Sequence, residues 1–136
     1  MNSIKHLAPG GRFTTPPLSA ATRFGSLLFV SGTPGYYDDG RIDEGDFGAQ
    51  FEQAMVVLRE VLARGGSSVH SLLKVNVLLT RASDVAEMNR RYAAALGPGP
   101  YPARTTSVVL ALPDPRMLLE IECVAAVEDA AGGARP

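Results

Sequence analysis

The sequence predicts an α+β fold: a single mixed sheet with two helices on one of its faces. Three observations carry this. Asp46 to Arg64 repeats apolar residues at three-to-four spacing, the period of a helix buried along one stripe. Leu72 to Thr80 alternates apolar and polar residues, the period of a half-buried strand. A second helical stripe follows, and then two more strand-like runs, so the helices interleave with one sheet. The expected order is β-β-α-β-α-β-β, with one or two extra short strands near the start.

The elements follow in order. Ile4 to Thr15, broken by Pro9-Gly10-Gly11, is a short strand or edge piece, and Pro16 to Ala21 is a loop. Phe24 to Ser31 is one strand, and its run Leu27-Leu28-Phe29-Val30 predicts burial on both faces. Gly32-Thr33-Pro34-Gly35 ends it, Asp38-Asp39-Gly40 marks a turn, and Arg41-Ile42 starts a short strand. Asp46 caps the first helix. Phe47, Phe51, Ala54, Leu58, Val61 and Leu62 face inward, while Gln50, Gln53, Arg59, Glu60 and Arg64 lie off the stripe. Gly65-Gly66 ends the helix. In the next strand Leu73, Val75, Val77 and Leu79 share one face, and Lys74 and Asn76 the other. Ser83 or Asp84 caps a second helix that runs to Leu96, with Val85, Met88, Tyr92 and Leu96 inward. Thr105 to Leu112 and Met117 to Val127 are the last strands. Residues 1–128 form one domain, and the small residues of 129–136 a flexible tail. Helices on one face leave the other sheet face apolar and uncovered, so a homo-oligomer is expected.

Composition excludes several classes. The 136 residues suffice for one core, and a hydrophobic content of 46% argues against disorder. Thirteen basic against 14 acidic residues give a net charge of −1, with no electrostatic reason to expect nucleic acid or an anionic membrane. Apolar runs are too short to span a bilayer, and Met1 to His6 lacks the apolar region of a secretory signal. Cys123 is alone, so no internal disulfide forms and a reducing, cytoplasmic setting fits. His6 and His70 lack metal-ligand spacing. Gly97-Pro98-Gly99-Pro100 places prolines where a phosphate loop needs N–H donors.

The chemistry concentrates in Tyr101-Pro102-Ala103-Arg104-Thr105-Thr106. A proline turn delivers Arg104 to the mouth of a strand, and a guanidinium fork matches a carboxylate with two parallel hydrogen bonds. Glu120, on what is expected to be the neighbouring strand, can handle a water. Simpler readings stand beside these. Arg104 can be a surface arginine stacked beside Tyr101, and Glu120 can merely brace it.

Several ordered blocks resemble the RidA family of imine/enamine deaminases, also called YjgF/YER057c/UK114. They are Gly25 to Gly32, Gln50 to Gly66, Leu73 to Thr80, Met88-Asn89-Arg90-Arg91-Tyr92, Pro102-Ala103-Arg104, Leu112-Pro113 and Leu119-Glu120-Ile121-Glu122. The resemblance implies a chorismate-mutase-like fold and a homotrimer with sites between subunits. It implies hydrolysis of reactive 2-imino or 2-enamino acids to 2-oxo acids and ammonia, without metal or other cofactor. Arg104 would hold the substrate carboxylate, and Glu120 would position water or move a proton. Ser31 and Asn89 would approach the substrate; the alternatives are turn chemistry for Ser31 and a bond to buried backbone for Asn89. Glu122 would be structural, facing Lys74 across a subunit interface.

Three departures alter the expected pocket walls. Leu18, after Pro16-Pro17, stands where the family often has tyrosine, unless Tyr36 or Tyr37 supplies that hydroxyl. Thr33 replaces a frequent glutamine, and Thr106 stands where many members carry cysteine. Two alternatives follow: an enzyme dedicated to a larger imine or enamine, or a carboxylate-binding regulatory module without catalysis. RNA is disfavoured by the absence of a basic stripe and an aromatic content of 7%.

Overall fold

The computed structural model describes residues 3–11 and 14–128; the expected tail lies outside them. Six strands and two helices run β1 Lys5–Leu7, β2 Ala21–Phe24, β3 Leu27–Thr33, α1 Phe47–Arg64, β4 Leu72–Leu79, α2 Val85–Leu96, β5 Ala103–Val108 and β6 Leu119–Ala126. They form one sheet in the order β1-β2-β3-β6-β4-β5. Only β4 and β5 pair in parallel, and α2 supplies the crossover that parallel neighbours require. Both helices lie over one face, as expected.

The expected strand from Phe24 to Ser31 is instead part of a hairpin. Phe24 pairs with Leu27, leaving Gly25-Ser26 as a two-residue turn with Gly25 at φ 62°, a conformation open to glycine. The apolar run is not buried twice. Leu28 and Val30 are in the core, whereas Leu27 and Phe29 are 38% and 44% exposed on the opposite face. Alternation, hidden by four apolar residues in a row, decides the matter.

Asp46 caps α1 by accepting from the Ala49 N–H at 3.0 Å. All six inward residues of the expected stripe are buried. Gln50 corrects the reading, because it is fully buried. Its Nε2 donates to the carbonyls of Asp43 and Arg116, both at 3.0 Å, and its Oε1 accepts from the Leu118 N–H at 2.9 Å. One amide thus staples the loop before α1 to the entry of β6. Gln50→Leu strands three buried backbone groups and is expected to destabilise the fold by roughly 3 kcal/mol, read from the urea midpoint.

Asp84 stands at the N-cap of α2, as expected, but its carboxylate takes Arg81 in two bonds, at 2.7 and 3.1 Å, rather than bonding the helix N–H groups. In β4, Val75, Val77 and Leu79 are buried, but Leu73 is 47% exposed. A register shift between Leu72 and Lys74 turns it outward. The last two strands are shorter than expected, since β5 ends at Val108 and β6 starts at Leu119. The face away from the helices is not uniformly apolar. Phe29 and Leu27 lie on its β3 side, while Lys74 donates to Thr105 at 2.7 Å and Asn76 to Glu122 at 3.1 Å across its middle. Within the chain Glu122 thus accepts from Asn76, while Lys74 is spent on Thr105.

Candidate functional site

Sheet register divides the expected site residues into two groups. β5 does not neighbour β6, because β4 lies between them. Arg104 aligns with Val75, and Val75 with Cys123, so Arg104 projects from the helix-covered face. Glu120 aligns with Leu78, one residue out of phase with Val75 and Val77, and projects from the opposite face. Arg104 and Glu120 of one chain therefore leave the sheet from opposite faces, on strands separated by β4.

The first group surrounds a cavity of about 760 Å³ at the end of β3. Ser31, Gly32, Thr33, Leu18, Tyr36 and Glu120 line it, with Val57 and Arg64 of α1 beyond. Between Val30 and Thr33 the β3–β6 register shifts, a bulge that re-aims Ser31 and Gly32. Glu120 lies over Gly32 so closely that a Cβ there would sit 2.5 Å from Oε2. The carboxylate is half-buried and has no hydrogen-bond partner among the described residues. Burial, and secondarily the charge of Glu122, holds its pKa above the ordinary 4.5.

Hydroxyls around the cavity are committed as donors. Ser31 Oγ donates to the Ser19 carbonyl at 2.7 Å, and Thr33 Oγ1 to the Ser31 carbonyl at 2.8 Å. Tyr36 donates to Asp114 and Tyr37 to Asp43, each at 2.7 Å. Burial and the Asp114 carboxylate push the Tyr36 phenol up to about 12. Arg116, bonded to Asp114 at 2.7 Å, holds that carboxyl well below its usual range. Both tyrosines reach the cavity lining, so either ring can fill the wall that Leu18 leaves without a phenol.

The second group lies at the α2–β5 seam. Arg104 Nη2 donates to Asn89 Oδ1 at 2.7 Å, Nη1 lies 3.7 Å from the Met88 sulfur, and the guanidinium stands 4.7 Å over the Tyr92 ring. Asn89 therefore serves a side chain rather than backbone, and Arg104 stacks on Tyr92 rather than Tyr101. Thr106 aligns with Val77 on the same helix-covered face, and its buried hydroxyl has no partner among the described residues. It does not line the cavity around Glu120.

Gly32 and Asp114 were not singled out as site residues from sequence. Gly32 could have been found from the Ser-Gly strand end; Asp114 meets Tyr36 across 78 positions, with no local signal. Cys123 is buried, and burial pushes its thiol up to about 12, which removes it as a nucleophile. Among the described residues no three His, Cys, Asp or Glu side chains are grouped as metal ligands would be. Nor is any helix there long and apolar enough to cross a membrane.

Fold and cleft together define a small α+β domain with an unpartnered carboxylate at one end and an arginine on the other face. Residues 12–127 match the family model described as Endoribonuclease L-PSP, and the chain belongs to that family, RidA (YjgF/YER057c/UK114). It is 39% identical over 128 residues to Protein mmf2, mitochondrial, of Schizosaccharomyces pombe, covering 93% of this chain and 95% of that one. It is 34% identical over 110 residues to Reactive Intermediate Deaminase A, chloroplastic, of Arabidopsis thaliana, covering 80% of this chain and 58% of that protein. The crystal structure of YyfA from Yersinia pestis, a Rid-family protein of unknown function, superimposes with a TM-score of 0.85 at 28% identity, covering 92% and 100% of the two chains. Yeast Mmf1 does so with a TM-score of 0.84 at 27% identity, covering 92% and 99%.

Proposed function

We propose that this protein hydrolyses reactive 2-imino or 2-enamino acids to 2-oxo acids and ammonia, in sites shared between copies of the chain. The observation that carries this is Glu120: a half-buried carboxylate without a partner, raised in pKa, beside a cavity. Water held by Glu120 adds to the C=N carbon and gives up a proton to it. The nitrogen takes up one proton to give the carbinolamine and a second, passed on from Glu120, and the C–N bond breaks to release ammonia as the hydroxyl gives up its proton. The carbonyl remains on the 2-oxo acid. The imine is intrinsically electrophilic, so positioning and proton transfer suffice.

Arg104 supplies the carboxylate grip, and because it leaves the opposite face of its own sheet, it does so to a neighbouring copy. Phe29 and Leu27, exposed on the face away from the helices, give that neighbour apolar surface to cover. A homotrimer is the assembly we propose. The relative named as a reactive intermediate deaminase supports the same chemistry. A single domain over 1–128 and a cytoplasmic setting belong to this reading, although other relatives are named mitochondrial.

The test is release of 2-oxo acid and ammonia from imines generated in situ by an amino-acid oxidase or a serine/threonine dehydratase. Acceleration over buffer is expected, and no acceleration over a panel of small and bulky imines sinks the reading. With a net charge of −1, no RNA binding is expected even at low salt.

A further inference from the structure

We infer that Asn89 is a positioning residue for Arg104: a neutral oxygen on α2 that aims the guanidinium while leaving its charge for an incoming carboxylate. The inference rests on the reading of Arg104 as the carboxylate-binding group. Met88, Asn89 and Tyr92 lie at neighbouring positions on one side of α2, the spacing at which helical side chains meet. Met88 is fully buried and Tyr92 is 7% exposed, so sulfur and ring form a fixed floor. The guanidinium rests on that floor, and Asn89 Oδ1 fixes its rotation through the 2.7 Å bond from Nη2.

Donor arithmetic shows what this leaves open. A guanidinium carries five N–H groups. Asn89 and the Met88 sulfur take one each, from Nη2 and Nη1. Nε and one N–H on each Nη remain, enough for a two-pronged grip on a carboxylate. The same helix shows the contrasting arrangement. Arg91 is bound by the carboxylates of Glu87 at 2.8 Å and Glu52 at 3.0 Å, and so is already paired. A carboxylate at position 89 would pair Arg104 in that way and compete with substrate.

The experiment compares Asn89→Asp, Asn89→Gln and Arg104→Ala. It reads kcat and KM with an imine generated in situ, and the Kd of pyruvate, as a 2-oxo acid probe, by calorimetry. Asn89→Asp is expected to raise KM and the pyruvate Kd about fivefold, the scale of one exposed charge pair, with kcat nearly unchanged. Asn89→Gln keeps a neutral acceptor and is expected to raise both by less than Asn89→Asp does. Asn89 is exposed on the helix, so a purely structural role would leave both variants alike. Wild-type KM and Kd in Asn89→Asp, with binding lost in Arg104→Ala, would overturn the role of Asn89 alone. Unchanged pyruvate binding in Arg104→Ala would overturn the carboxylate grip, and this inference with it.

Discussion

Arg104→Ala is expected to lower kcat/KM for a small imino acid on the order of 100- to 1000-fold, the loss of two hydrogen bonds between charged groups. The fold should scarcely notice. Arg104 is exposed, sits on an edge strand, and is held by the neutral groups of Asn89, Met88 and Tyr92. Removing it strands no buried charge, so the melting temperature should move by a few degrees at most. Arg104→Lys sharpens the comparison. It keeps the positive charge and loses the planar fork, so an intermediate loss of about tenfold is expected. Steady-state kinetics beside a thermal melt check both variants. Wild-type kcat/KM in Arg104→Ala would remove the carboxylate grip from the mechanism.

The architecture was legible because two periods are written plainly into the chain. The stripe from Phe47 to Leu62 and the alternation from Val75 to Leu79 are each enforced by one buried face. Elements failed to show where a local pattern served a distant partner. Gln50 looked like a surface residue because glutamine is polar; it is buried because three backbone groups from two loops converge on its amide. The β2–β3 turn sits just ahead of the apolar run Leu27 to Val30, with Gly25 its one local sign. Leu73 points outward because a register shift, which propensity cannot encode, interrupts β4.

The candidate site was half legible. Ser31, Thr33, Leu18, Tyr36 and Glu120 do meet at one cavity. The expected pairing of Arg104 with Glu120 assumed that consecutive strands are neighbours. Parallel pairing places β5 beside β4, and strand parity then sends the two side chains to opposite faces. Under the proposed function, the two residues then serve one site from two chains.

Glu120→Gln tests that conclusion and the chemistry together. A positioned general base contributes about 100- to 10,000-fold, so kcat is expected to fall by that order while pyruvate binding through Arg104 persists. The acid limb of the rate profile should disappear as well. Glu120 acts ionised, its pKa lies above the ordinary 4.5, and activity of the wild type falls as pH drops through that raised value. Stability runs the opposite way. A carboxyl whose folded pKa exceeds its unfolded one binds more protons when folded, so stability declines as pH rises between the two. Gln cannot ionise, and the variant should equal or exceed the wild type in melting temperature at neutral pH. Mixing then assigns the two groups to chains. If Arg104 and Glu120 of one site come from different copies, equal amounts of the two inactive variants, co-refolded, place both intact groups in about one quarter of sites. Activity should return to that fraction. A mixture as inactive as its parts would mean that each chain must supply both residues to its own site, against the opposed faces from which they leave the sheet.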